Sequence, residues 1–242
     1  MNKKLLLRYS GSIFQHLLDI LFPIRCSGCQ KSGYALCPSC TSKIPSLPSP
    51  FCQHCSAPLP LNGTCRSCQY HPLRLNSLRA VSLYQEPVRS YIHALKYDGN
   101  TRLADPLGRL LAQAYLSYCI QADVVIPVPL HKQRQQQRGY NHAYLLAEVC
   151  AAQVGIPLRD DVLIRHRATI AQVDLKAGER QQNVAGAFAC TPTFATRALF
   201  GRRILLIDDV STTGATLEAC AAPLYSAGAL AVWGLVLARP AS

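Results

Sequence analysis

Two adjacent carboxylates, Asp208 and Asp209, stand between four aliphatic residues, Ile204 to Ile207, and the hydroxyl-rich stretch Ser211-Thr212-Thr213-Gly214-Ala215-Thr216. A loop of Thr and Gly that runs into a helix offers backbone N–H groups and hydroxyls to a phosphate, and the helix dipole adds to the attraction. Gly214 lets the backbone approach closely, because it lacks a Cβ and tolerates positive φ. Carboxylates beside such a cradle would repel a polyanion unless they faced hydroxyls or a metal ion. A sugar phosphate meets both demands. Its phosphate would sit on Thr212, Thr213, Gly214, Ala215 and Thr216, and its ribose hydroxyls on Asp208 and Asp209. The elements that must hold these groups are a strand buried on both faces, as in a parallel sheet, and a helix over LEACAAPLYSAG. In an open α/β sheet, ligands bind beyond the carboxyl ends of the strands, which is where the acids and the loop fall.

This stretch resembles the 5-phosphoribosyl-1-diphosphate (PRPP) signature of type I phosphoribosyltransferases, an aliphatic strand followed by Asp-Asp-x-x-Thr-[Thr/Ala]-Gly-x-Thr. A plain buried strand with an N-capped helix would account for the hydrophobicity. It would not account for two acids followed by three threonines.

A second chemistry lies nearer the N-terminus. Eight of the twelve cysteines fall in the pairs Cys26-x-x-Cys29, Cys37-x-x-Cys40, Cys52-x-x-Cys55 and Cys65-x-x-Cys68. A CxxC turn grips one tetrahedral ion with two thiolates, and a second turn closes the site, so four turns point to two structural Zn²⁺ ions. The gaps favour sequential pairing, with the Pro-rich TSKIPSLPSPF leading into the second site, although spacing also admits an interleaved set. A thiol–disulfide role is weaker, since no βαβ pattern surrounds any pair. So small a module has little core, and zinc binding, worth about 10–16 kcal/mol per site in finger peptides, would supply most of its stability. His54 and His71 find no vacancy among four-cysteine sites and read as packing or surface residues, while Cys119, Cys150, Cys190 and Cys220 read as small core residues.

The 242 residues allow one substantial α/β domain and a small appendage. The formal charge of +12 favours a polyanionic partner: a diphosphorylated sugar, nucleic acid or an anionic membrane surface. Eight thiolate charges, offset by four from two zinc ions, would take that surplus to about +8. No run reaches eighteen apolar residues, which argues against a transmembrane span. The opening MNKKLLLRYSGSIFQHLLDILFP is broken by Arg8 and Asp19, unlike a signal peptide. CxxC pairs without a signal place the chain in a reducing cytoplasm.

In chain order, residues 1–24 read as an amphipathic helical segment, better suited to packing on the chain's own core than to a membrane surface. Residues 25–70 form the double zinc ribbon, and 78–240 the large domain. Within the latter, Ala80 to Tyr84 reads as a strand, Val88 to Tyr97 and Leu103 to Tyr118 as helices, and Asp123 to Val128 as the central strand. The following segment, from Pro129 to Asn141, is basic and Gly-terminated and reads as a mobile phosphate-binding loop carrying Lys132, Arg134 and Arg138. Val162 to Arg165 suggests another strand, and the last, Ala231 to Ala238, is expected to be buried near the sheet edge with Trp233 in the core.

Taken with LLDILFPIRCSGC, ALKYDGN, VPVPLHKQRQQQRGYN and the Thr169/Gln172/Arg180/Asn183/GAF pattern, the chain resembles the ComF/GntX family nearly end to end. That resemblance implies a type I phosphoribosyltransferase-like parallel sheet flanked by helices behind a small N-terminal double zinc ribbon. It also implies cytoplasmic work in DNA uptake during natural transformation, or a link to gluconate use. The family most often has Gln where this chain has His142. If the chain is a transferase, Asp208 and Asp209 would hold the ribose hydroxyls and Mg²⁺ would bridge these and the diphosphate. Lys132, Arg134 and Arg138 would neutralise departing pyrophosphate. Two readings compete with an enzyme of unknown acceptor: a PRPP sensor, or a zinc-ribbon adaptor that contacts single-stranded DNA and DNA-import proteins.

Overall fold

A computed structural model of the chain describes residues 23–60, 64–70, 72–168, 182–191 and 199–241. The N-terminal helical segment up to residue 22, His71 and the pattern residues Thr169, Gln172 and Arg180 lie outside them. The chain divides into two compact units, Met1–Lys43 and Ile44–Ser242. In the smaller unit, Cys26 N–H bonds the carbonyl of Lys31 and Gly33 N–H that of Ile24, closing a tight turn ahead of the one-turn helix α1 (Pro38–Thr41).

The larger unit contains the second pair of CxxC turns, the short helix α2 (Arg66–Tyr70) and the α/β sheet. Among the described residues the main sheet has four strands: β1 (Ser77–Leu83), β2 (Val124–Pro127), β5 (Arg203–Val210) and β6 (Ala231–Arg239). All pair in parallel, in the order β1-β6-β5-β2. A separate antiparallel pair joins β3 (Leu163–Arg165) to β4 (Phe188–Cys190), so the strand expected at Val162–Arg165 forms outside the main sheet. The expected α/β class, a parallel sheet flanked by helices with a small cysteine-rich region before it, is the class observed.

The last strand lies between β1 and β5, next to the edge strand β1 and so near the sheet edge as expected. The order corrects one placement: the Asp123–Val128 strand is an edge, not the centre. The edge strand reads as fully buried because its open side is covered: Val125 N–H donates to Pro157 and the Val125 carbonyl accepts from Arg159, both at 2.9 Å. In β6, eight of nine residues are buried, with Trp233 only half-buried. A Cβ on Gly234 would sit 2.9 Å from Leu217 Cδ1 and 3.1 Å from Leu78 Cδ1, so glycine allows side chains from two elements to close on the strand.

Helix α3 (Val88–Tyr97) buries Val88, Tyr91, Ile92 and Leu95, one helical face. Helix α4 (Ala104–Ser117) packs on α6 (His142–Val154). Between α6 and β2 the expected mobile loop is instead a helix, α5 (Lys132–Arg138), capped by the His131 side chain and ended by Gly139 at φ 80°. Its Lys, Gln and Arg residues are good helix formers, a propensity hidden by their polarity. Helix α7 (Ala215–Ser226) follows β5. Of the four cysteines outside the CxxC pairs, Cys150 and Cys220 are in the core as expected and Cys190 is half-buried, but Cys119 is exposed, in a turn at φ 51°. Among the described residues no helix is long and apolar enough to cross a membrane.

Candidate functional site

The fully buried run Ile204–Ile207 leads within β5 into the acid pair, one residue short of the strand's end at Val210. Ser211 N–H is held by the carbonyl of Ala238 on β6 (3.1 Å), which anchors the start of the Thr/Gly loop to the sheet. Thr212 offers its carbonyl to Arg239 Nη2 at 3.3 Å, and Thr213 Oγ1 accepts from Ala215 N–H at 3.3 Å. Gly214, at φ 84°, turns the chain into α7, and a Cβ there would sit 2.9 Å from Leu73 Cδ2. Thr212, Thr213, Gly214, Ala215 and Thr216 are therefore gathered at the N-terminus of a three-turn helix, next to the acids.

The two aspartates have different surroundings. Asp209 is 2 % exposed; Lys96 Nζ, from the end of α3, pairs with its Oδ2, and His142 Nε2 approaches its Oδ1 at 3.4 Å. Asp208 is half-buried, and its Oδ1 accepts from the N–H of Asp209 at 2.9 Å. Burial alone would raise the Asp209 carboxyl, but Lys96 and His142 outweigh it and hold the group well below the ordinary range. Burial and the neighbouring Asp209 charge push Asp208 upward. Burial would likewise lower Lys96, but Asp209 and Asp208 keep its ammonium charged.

His142 reaches this position through the Gly139-Tyr140-Asn141 triplet. Gly139 ends α5, Tyr140 donates its hydroxyl to the carbonyl of Leu95 on α3, and Asn141 caps α6 while its amide binds the Val128 carbonyl (3.0 Å) beyond β2. Arg138 Nη1 lies 2.8 Å from His142 Nδ1, and its guanidinium stacks 5.0 Å from the Tyr97 ring. Lys96, Tyr97, Arg134, Gln137, Arg138 and Tyr140 line a cleft of ≈450 Å³. Two of the three basic residues singled out from the sequence, Arg134 and Arg138, meet there; exposed Lys132 does not line it. A second cleft of ≈590 Å³ adjoins the loop, walled by Thr213, Ala215 and Glu218 on one side and Tyr70, Leu73 and Phe188 on the others.

Lys96, His142 and Arg239 were not among the candidate site residues. Their roles are long-range pairings with no local pattern, although Lys96 stands within ALKYDGN and His142 directly after the triplet.

The cysteines assemble sequentially. Cys26, Cys29, Cys37 and Cys40 form one set and Cys52, Cys55, Cys65 and Cys68 the other, the sulfurs of each set lying within 4.8 Å of one another. Sulfur separations of 3.6 Å for Cys29–Cys37, 3.6 Å for Cys55–Cys65 and 3.8 Å for Cys52–Cys68 match the ~3.8 Å edge of a tetrahedron with Zn–S bonds near 2.3 Å. Backbone N–H groups of Gly28, Cys37 and His54 point at thiolate sulfurs. Two structural zinc ions fit. His54 is a packing residue, its Nε2 2.9 Å from the Leu73 carbonyl.

Magnesium finds a poorer protein shell. His142, Asp208 and Asp209 offer donor atoms within 4.8 Å, but Lys96 occupies Asp209 and His142 presents nitrogen to an ion that demands oxygen.

Residues 17–69 match the double zinc ribbon domain model. The chain is 31% identical to competence protein F of Haemophilus influenzae over 231 residues, covering 90% of this chain and 98% of that protein. It is also 31% identical to the DNA utilization protein YhgH of Salmonella typhimurium over 221 residues, 88% of each chain. The B. subtilis glutamine phosphoribosylpyrophosphate amidotransferase, complexed with ADP and GMP, superposes with a TM-score of 0.40 at 20% identity, covering 60% of this chain and 30% of that one.

Proposed function

Since this chain belongs to the ComF (competence protein F) family, we propose that it binds PRPP or a related ribose phosphate in the cytoplasm, in the service of DNA uptake. The observation that carries this reading is the juxtaposition at the end of β5. A Thr/Gly loop at a helix N-terminus suits a 5′-phosphate, the half-buried Asp208 suits ribose hydroxyls, and the Arg134/Arg138 cleft suits a diphosphate. In transfer, the C1–O bond to the diphosphate would break as the acceptor's bond to C1 forms. Arg134 and Arg138 would neutralise the departing charge, and the dry surroundings of the acid pair would exclude water. Magnesium, when bound with PRPP, would supply charge neutralisation at the diphosphate and hydroxyl oxygens.

Titration calorimetry with PRPP and Mg²⁺ tests the binding. Wild type should bind, and Asp208→Asn and Thr213→Val should each weaken binding about tenfold by removing a polar partner. Parent-like affinity in both variants overturns the reading. A pyrophosphate-release screen against bases, amines and single-stranded DNA then separates an enzyme from a sensor. A second reading is contact with single-stranded DNA on the same face, favoured by Tyr97, which is 62% exposed beneath the Arg138 guanidinium. Arg138→Ala would then weaken DNA binding and flatten its log–log salt dependence by roughly 0.7 per lost phosphate contact. Under the first reading it lowers PRPP affinity more than ribose 5-phosphate affinity, because only PRPP carries the diphosphate.

A further inference from the structure

We infer that His142 is a positioning residue of the ribose site: a neutral imidazole whose Nδ1 accepts from Arg138 and whose Nε2–H donates toward Asp209, locking that carboxylate against Lys96 and leaving Asp208 to face the ligand. The tautomer follows from the partners. A guanidinium has donors only, so the nitrogen 2.8 Å from Arg138 Nη1 must be an acceptor. A neutral ring that accepts at Nδ1 carries its proton on Nε2. That nitrogen lies 3.4 Å from Asp209 Oδ1 and 3.9 Å from Asp208 Oδ1. An imidazolium would set an N–H against an N–H and a cation against a cation at Nδ1. The imidazole is 5 % exposed, so water cannot take over either contact.

Asp209 then has both oxygens engaged, Oδ1 by His142 and Oδ2 by Lys96, and is 2 % exposed. It cannot serve ribose hydroxyls in the way its sequence position suggests. The Asp208 side chain, 14 % exposed, remains for that task, with its Oδ1 held by the Asp209 N–H. Asp209 is thus the anchor and Asp208 the contact. The arrangement also runs a hydrogen-bonded line from the cationic cleft, through Arg138 and His142, to the acid pair.

The ligand half of this inference rests on the ribose-phosphate reading; the tautomer does not. Glutamine offers one acceptor and one donor group, the pattern of this imidazole, whereas leucine fills similar space and offers neither. His142→Gln should bind ribose 5-phosphate within about threefold of wild type, and His142→Leu about thirtyfold more weakly, because Arg138 and Asp209 lose a buried partner. Long-range ¹H–¹⁵N spectra of the ligand-free, histidine-labelled protein should show His142, assigned by its absence in His142→Gln, as the Nε2–H tautomer at neutral pH. An Nδ1–H tautomer or an imidazolium overturns the inference, as does His142→Leu binding like wild type or His142→Gln binding as weakly as His142→Leu. If wild type binds no ribose 5-phosphate, the ribose-phosphate reading fails, and the spectra alone decide the state of His142.

Discussion

The two four-cysteine sites share a ligand set and differ in what they hold. The first belongs to the compact unit ending at Lys43, where its turns bond mainly to one another: Cys26 to Lys31, Ser27 to Ala35, Thr41 to Cys37. The second belongs to the unit that carries the sheet. The carbonyl of His54 accepts from Leu78 N–H on β1 at 2.7 Å, fully buried Ser56 donates its hydroxyl to the Leu78 carbonyl, and the Cys55 carbonyl accepts from Arg239 Nη1. Through Nη2 the same Arg239 reaches Thr212 in the Thr/Gly loop. A CxxC motif therefore identifies the metal, while the bonds made by its backbone decide whether the metal supports a local fold or a distant loop.

Removing the second site should have the largest effect. Cys55→Ser is expected to lower the zinc content from two to one and destabilise the large unit by about 3–5 kcal/mol, or roughly 10 °C in Tm, as measured by elemental analysis and calorimetry. An unchanged Tm would make the two sites equivalent and end the distinction. Arg239→Gln sharpens it. Both zinc ions should stay, while ribose 5-phosphate affinity falls about tenfold, because the charged link from Cys55 to Thr212 is lost. Zinc loss in that variant would instead make Arg239 part of the metal site. The smallest effect is expected from Cys26→Ser: one zinc lost, protease cleavage confined to the residues before Ile44, and a shift below about 1 °C in the Tm of the large unit.

How much of this was legible follows from the range of the interactions. The acid pair, the Thr/Gly loop and the strand before them are local patterns, as are the CxxC turns and the apolar face of Val88 to Tyr97, and each reads directly from spacing. Strand order does not. Burial on both faces looks the same for β6, which is interior, and for β2, an edge covered by residues 157–159. The different roles of Asp208 and Asp209 were hidden for a similar reason: Lys96 and His142 reach them from α3 and α6, across the fold. The acid pair itself could be located from sequence, but not the different partners of its two members.

The bonds along β1 have a further consequence. Besides its pairing with β6, its backbone at Leu78, Ala80 and Val81 is bonded by Leu47 N–H, the His54 carbonyl, the Ser56 hydroxyl and Tyr118 Oη. A fragment beginning at Ser77 would keep the strand and lose the first three of these partners. It would expose an apolar β edge of the kind that recruits strands from other molecules. Such a fragment should aggregate on expression even with the whole sheet present, an outcome that would make the second ribbon a guard against self-association as well as a metal site.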